Sequence, residues 1–407
     1  MNTQLHSPSL PLVAVGVRPH RQSAGLLVFT GLLLAALAGL LVLLAFFVRK
    51  GAYGSDWLTF YQAAERWRAG QPVYTVADGF YNPPPFLVLM RAFVLIPYVW
   101  SRVLWGTLSA VLLLVSARMA ATSIRWRPAT SQKLLATWWI LFYIPSILLC
   151  PITGNSTAVV LVGFALAILL FQRGREAGAG AALALTLVKP QIAFLVLPLL
   201  LYKRRWRAAL AYLATALIAM LLSLMLVGWP IFSDFLTVER AISGWTISND
   251  ALQLDVPGIH GMFLQQWPHS ITADTSANLL SVLLVALLAW CWRGAWQPTS
   301  RRFVCGWAML MTMNLLIASY AHSYDMVILL FPIIVLYGLT TDTTIAPRLA
   351  LRLARPLVVA LYIGPAIVLL YRQHAMVPIM LVALLLLWRL GSEENDPAPA
   401  FAASSTV

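Results

Sequence analysis

The sequence predicts an all-α polytopic membrane protein. Three observations carry that reading: 60% of the 407 residues are hydrophobic, only 10% are charged, and the apolar residues gather into runs punctuated by charge, Gly and Pro. A water-soluble domain has roughly a quarter of its residues charged. A tenth cannot cover such a fold, so the apolar excess faces lipid. Soluble enzymes, DNA-binding modules and disordered proteins are excluded on that ground.

Read with a window near 20 residues, the chain shows about twelve apolar runs: 25–48, 99–122, 134–150, 155–171, 177–188, 191–202, 207–227, 273–290, 303–317, 324–339, 356–370 and 376–388. The first is longer than a signal-peptide core and no small-residue cleavage site follows it, so it reads as a membrane helix. The runs on either side of Lys189 are short for full crossings, which fits a broken or re-entrant hairpin whose bend is buried in protein or lines a wet cavity. The organisation that follows is a cytoplasmic tail (1–24), a transmembrane domain (25–390) and a disordered cytoplasmic tail (391–407) rich in Ala, Ser and Pro. Cys150, Cys291 and Cys305 have no metal-ligand spacing and read as small core residues.

The formal charge of +14 would suggest a nucleic-acid partner if it were clustered. It is instead distributed by topology. With the N-terminus cytoplasmic, 19 of the 28 basic residues fall in inner loops, where they leave a net +14, while outer acids and bases cancel. The basic character is therefore positive-inside topology, and no nucleic-acid partner is needed. Both termini are then cytoplasmic. Two outer segments, 49–98 and 228–272, are longer than plain connectors, and long connections tend to carry function.

In the first outer segment, Trp57, Phe60, Tyr61, Ala64 and Trp67 recur with helical period, and Gln62, Glu65, Arg66 and Ala69 fall largely opposite. The pattern predicts an amphipathic helix in the membrane interface, ended by Gly70, with Trp and Tyr at headgroup depth. Pro83, Pro84 and Pro85 are expected to block helix locally. The apolar stretch 86–96 is too short to span and is placed as a second interfacial helix. Asp56 opens the first helix. Two roles are open to it: complementing the helix dipole, or acting as a general base presented to a lipid-linked substrate.

The run Asp56-Trp57-Leu58-Thr59-Phe60-Tyr61-Gln62-Ala63-Ala64, followed by Gly70-Gln71-Pro72-Val73-Tyr74 and Tyr81-Asn82-Pro83-Pro84, resembles the first loop of glycosyltransferase family 87. These are bacterial membrane enzymes of the GT-C type that include polyprenol-phosphate-mannose-dependent mannosyltransferases. Leu187-Val188-Lys189-Pro190-Gln191 is similar to the family's Lys-Pro break, and His322-Ser323-Tyr324-Asp325 to its last outer-loop motif. The resemblance covers roughly residues 25 to 340. The second outer loop departs from the family's Asn and Ser pattern, which leaves the acceptor open.

The resemblance implies a GT-C-type fold and transfer of a sugar, with mannose the family's best-known choice, from a polyprenyl-phosphate donor to a lipid or glycan acceptor on the outer face of the plasma membrane. Asp56 would remove the acceptor proton. A phosphate leaving group departs without a general acid, so one carboxylate suffices, unlike the pair in glycosidases, and the product is inverted. Lys189, an ionisable residue at membrane depth, would meet the donor phosphate, with Gln191 as a second donor; snorkelling to the interface is the alternative. His322 and Asp325 would contact phosphate or sugar, or serve as a structural His and a helix cap. Asn155, in Thr153-Gly154-Asn155, is similar to the family's Gly-Asn turn and could equally be a cap. Tyr61 and Tyr81 in the first loop, and Glu239, Arg240, Trp245 and His260 in the second, are candidate acceptor contacts by location. No Asp-X-Asp, HExxH, Walker A or GxSxG motif occurs, so neither a metal nor a nucleotide-sugar donor is expected, and no cofactor. A flippase of lipid-linked sugars competes, but internal repeats are not evident. An O-antigen-ligase-like or polymerase-like enzyme competes as well.

Overall fold

A computed structural model describes residues 56–76, 79–126, 130–242, 256–341, 348–371 and 375–392. The apolar run 25–48, Trp245 and the tail beyond Ser392 lie outside these residues. Among the described residues the chain is helical throughout, with no strand.

Five described helices are long and apolar enough to cross a bilayer: Tyr98–Ser123, Trp206–Ala241, Ile271–Cys291, Ser323–Thr340 and Arg352–Leu369. Lys133–Phe142 and Ile144–Cys150, bent by 63° across Tyr143 with Pro145 in the first turn of the second helix, form a sixth if taken as one broken span. The twelve runs read from hydropathy include 25–48, outside the described residues, and several that form helices shorter than 18 residues, among them Arg301–Ile317, Thr157–Gln172 and Met376–Ser392. A run can be apolar because lipid surrounds it or because protein does, and hydropathy alone does not separate the two. The helix Arg301–Ile317 illustrates the second case: every residue from Phe303 to Ile317 is buried. It is a central post of the bundle, together with the largely buried segment Ser323–Thr340. The shorter apolar helices Thr157–Gln172, Glu176–Val188 and Met376–Ser392 pack around them. The last of these runs through Gly391 and Ser392, two residues into the segment expected to be tail.

The segment 49–98 contains the two expected helices, Asp56–Arg68 and Pro84–Phe93. Two details differ from expectation. Pro84 and Pro85 begin the second helix instead of blocking it, because the first positions of a helix need no N–H partner and a fixed φ near −65° suits them. The apolar face of Asp56–Arg68 is covered by protein. Trp57, Phe60, Phe80, Phe86 and Trp105 form a separate aromatic core, with Trp57 stacked on Trp105 at 5.0 Å and Phe60 edge-on to Phe86 at 4.9 Å. This core clamps the helix that carries Asp56 onto the span Tyr98–Ser123. In the segment 228–272, helix resumes at Trp229–Ile242 just past Gly228, whose φ of +82° suits a residue without Cβ.

The segment around Lys189 is a hairpin of short helices. Glu176–Leu183 leads in, Val196–Tyr202 leads out, and Arg205 Nη1 meets Glu176 Oε1 at 3.0 Å. That ion pair brings the two ends of the segment together, with Lys189 in the turn between them. Small residues make the fit possible. A Cβ at Gly180 would lie 2.0 Å from the carbonyl oxygen of Ala208, and one at Gly163 would lie 3.0 Å from that of Ala182. Close backbone approach of this kind is how helices without a hydrophobic drive associate in lipid.

Candidate active site

Four segments distant in sequence bring polar side chains together: the start of Asp56–Arg68, the turn at residues 154–157, the Lys189 tip, and the turn at residues 322–325. The second is shaped by a π-helix, Leu148–Thr153, which ends at Gly154 with φ +70°. A Cβ there would lie 2.7 Å from both Arg102 Nη1 and Trp57 Cβ, so the position admits only glycine. Trp105 Nε1 donates to the Gly154 carbonyl at 2.8 Å. The turn is thereby pinned against the Asp56 helix, and Asn155 is aimed at Asp56.

Asn155 uses both ends of its amide. Its Nδ2 donates to Asp56 Oδ2. Its Oδ1 accepts from the Thr157 backbone N–H at 3.2 Å and lies 2.9 Å from Thr157 Oγ1. The cap role and the polar-contact role anticipated for Asn155 are thus compatible, since one amide has a donor end and an acceptor end.

Lys189 sits at an extended residue, φ −140°, between two short 3-10 turns, Ala184–Val188 and Pro190–Ile192. Backbone groups freed by this break find side-chain partners: Asn82 Nδ2 donates to the Val188 carbonyl at 3.2 Å, and Asn314 Oδ1 accepts from Leu195 N–H at 3.1 Å. Such compensation is what lets irregular backbone exist inside a membrane protein. Lys189 does not snorkel. It is buried, with Nζ 2.7 Å from Asp325 Oδ1 and 4.7 Å above the centre of the Tyr324 ring.

Asp325 collects donors from three segments. Oδ1 accepts from Lys189 Nζ and from Thr157 Oγ1, and Oδ2 accepts from His322 N–H at 2.9 Å. It therefore caps the turn Ser323–Leu329 and also neutralises Lys189. His322 is half-buried, its ring 5.2 Å from that of Tyr320 and 5.0 Å from that of Tyr324. Gln191, also half-buried, lies two residues after Lys189, past Pro190.

The remaining candidates are held by contacts of their own. Tyr61 donates to the Ile96 carbonyl at 3.0 Å and Tyr81 to the Val76 carbonyl at 2.8 Å. Glu239 lies beside Tyr74, whose phenol is raised well above its ordinary pKa by burial and, secondarily, by that carboxylate. His260 is buried, with Nδ1 3.2 Å from Asp274 Oδ1.

Three participants escape the sequence reading. Thr157 bonds on both sides of the cluster, its backbone N–H to Asn155 and its hydroxyl within reach of both Asn155 and Asp325. The Tyr324 phenol interacts with the Asp56 carboxylate. Arg102 is buried, donates to the Cys150 carbonyl at 3.0 Å and interacts electrostatically with Asp56. Arg102 carried a legible signal, as a charge inside an apolar run. Thr157 and Tyr324 carried none, since their types are ordinary at span ends. The result is a cluster in which Lys189 and Arg102 offset Asp56 and Asp325. Asp56 is its partly exposed carboxylate, Asp325 its buried one. Such a site can take a proton at Asp56 and hold an anionic group at Lys189.

No curated protein and no solved structure matches this chain. The family model for glycosyltransferase family 87 matches residues 80–319, more than half the chain. The matched stretch contains Asn155, Lys189 and Gln191, while Asp56, His322 and Asp325 lie outside it. The strand-free helical architecture of the described residues, their several membrane-length helices, this match and a buried polar cluster agree, and the protein belongs to glycosyltransferase family 87, a family of membrane glycosyltransferases.

Proposed function

We propose that this protein moves a sugar, mannose being the first expectation, from a polyprenyl-phosphate donor to a lipid or glycan acceptor at the outer face of a bacterial plasma membrane. The acceptor oxygen attacks the anomeric carbon as the bond from that carbon to the phosphate oxygen breaks. The acceptor proton goes to Asp56, and the bonding pair leaves on the phosphate. The anomeric configuration inverts because there is one displacement.

One observation carries this reading: Asp56 and Lys189 belong to a single hydrogen-bonded cluster running through Asn155, Thr157 and Asp325. A base for the acceptor and a cation for the leaving phosphate are what the reaction needs close together. Lys189 sits at the tip of a hairpin buried among apolar helices, where a lipid-borne phosphate can reach it from the bilayer. Gln191 and His322 border that position and are assigned to donor phosphate or sugar. Tyr81, next to the Asn82 that supports the break, is assigned to the acceptor side. The assay is transfer of label from polyprenyl phosphate sugars to added acceptor by purified protein. Asp56→Asn is expected to lower turnover about 10² to 10⁴-fold, the usual contribution of a general base, with donor binding and thermal stability close to wild type. Wild-type turnover in that variant would overturn the assignment.

A further inference from the structure

The hydroxyl of Thr157 lies between two carboxylate systems. On one side is Asn155 Oδ1 at 2.9 Å, whose amide continues to Asp56. On the other is Asp325 Oδ1, which also takes the Lys189 ammonium at 2.7 Å. Thr157 is fully buried, as is Asp325, and Asn155 and Lys189 are nearly so. A threonine hydroxyl has a single proton to donate. Thr157 therefore cannot serve both acceptors at once, and the choice depends on how much charge Asp325 carries unmet.

We propose that Thr157 is a positioning residue that couples the donor side of this site to the base, an inference that rests on the functional reading above. With Lys189 on Asp325, that carboxylate has its ammonium partner. When a donor phosphate draws the ammonium away, Asp325 keeps the His322 N–H and the Thr157 hydroxyl, and the hydroxyl proton is committed to it. The Thr157 oxygen then presents only lone pairs to Asn155 Oδ1. The Asn155 amide, held by the Thr157 backbone N–H, is pressed toward Asp56. Arrival of the donor is felt at the base through one proton. The backbone N–H contact does not depend on the side chain, so Thr157→Val removes the hydroxyl and keeps the rest.

The test is a pair of mutant cycles on the full-length protein, scored by transfer from a polyprenyl phosphate sugar and by donor binding. Asn155→Ala and Lys189→Gln touch residues joined through Thr157 and Asp325 and, by a second route, through Tyr324, which lies under the Lys189 ammonium and interacts with Asp56. Coupled residues give non-multiplicative effects, and independent ones multiply. In the wild-type background the two changes are expected to depart from multiplicativity by roughly fivefold or more, and in the Thr157→Val background that departure should shrink severalfold; an undiminished departure would assign the coupling to the Tyr324 route and overturn the role of Thr157. Thr157→Val alone is expected to lower kcat about 10- to 100-fold, the worth of a hydrogen bond to a charged group. Its donor KM should stay within a few-fold, and Thr157→Ser should restore kcat. Multiplicative effects in the wild-type background overturn the coupling even if Thr157→Val fails to fold. Near-wild-type transfer by Lys189→Gln and Asp56→Asn singly would instead overturn the functional reading, so the two failures are distinct.

Discussion

Lys189 and Asp325 lie 136 residues apart in sequence and 2.7 Å apart in space, with side chains only 6% and 0% exposed. Each is tolerable at that depth because the other is there, since an isolated buried charge is far less stable than a paired one. The pair joins the turn of the Lys189 hairpin to the start of a central helix. A stability role and a donor-binding role thus meet in the same lysine, and substitutions can separate them.

Lys189→Gln leaves Asp325 buried without its ammonium, and breaking a buried pair costs about 3–5 kcal/mol. A clear drop in thermal stability is expected, along with roughly 10- to 100-fold weaker donor binding from one lost charge-assisted contact. Lys189→Gln combined with Asp325→Asn removes both charges and should recover most of the stability and none of the donor binding. Recovery of both would mean that Lys189 serves the fold alone. Thermal melts and donor titration on the same preparations decide it.

Gly180 and Gly178 share one short helix, Glu176–Leu183, and predict opposite outcomes. A Cβ at Gly180 meets the Ala208 backbone at 2.0 Å, whereas at Gly178 the nearest atom is a Leu170 methyl at 3.6 Å. Gly180→Ala should force the hairpin off its neighbour and destabilise by about 1–3 kcal/mol or more. Gly178→Ala should be neutral or stabilise by up to about 1 kcal/mol, because alanine loses less backbone entropy in a helix. Detergent-solubilised melting temperatures of the two single variants make the comparison.

His260 gives a pH dependence with a definite sign. Burial holds its pKa below the ordinary 6.5, opposed by Asp274, which favours the charged ring. A depressed folded-state value means that the unfolded chain binds the proton more readily. The stability contributed is present above the ordinary histidine range and is lost as pH falls through the folded value. Melting temperature should therefore decline on acidification below about pH 6.5, and His260→Gln should flatten that part of the profile. An unchanged profile would show that another group dominates.

Topology is tested by labelling single cysteines in a background lacking Cys150, Cys291 and Cys305. Gly174→Cys and Arg204→Cys flank the hairpin closed by Arg205 and Glu176, and both should react from the cytoplasmic side. Asp78→Cys and Asp255→Cys should react from the outside, following the 19-to-9 division of basic residues. Labelling of positions 174 and 204 from opposite sides would replace the hairpin with a single crossing. Labelling of 78 and 255 from the cytoplasm alone would invert the protein.

The sequence by itself determined the class of solvent this chain meets, the helical content, the helix that opens at Asp56 and the break at Lys189. These depend on composition and short-range periodicity, which are local properties. It also named Asp56, Asn155, Lys189 and Asp325 individually, from residue type at span ends and from family resemblance. The tertiary structure decided which apolar runs face protein, as for 303–317, and that the aromatic face of Asp56–Arg68 is covered by Phe80, Phe86 and Trp105. It also decided that Lys189 is paired with Asp325 and that Thr157 stands between the two carboxylate systems. Hydropathy measures the dislike of a side chain for water and is blind to what replaces the water. A hydrogen bond across 168 residues, such as Thr157 to Asp325, is written only in the packing that brings its ends together.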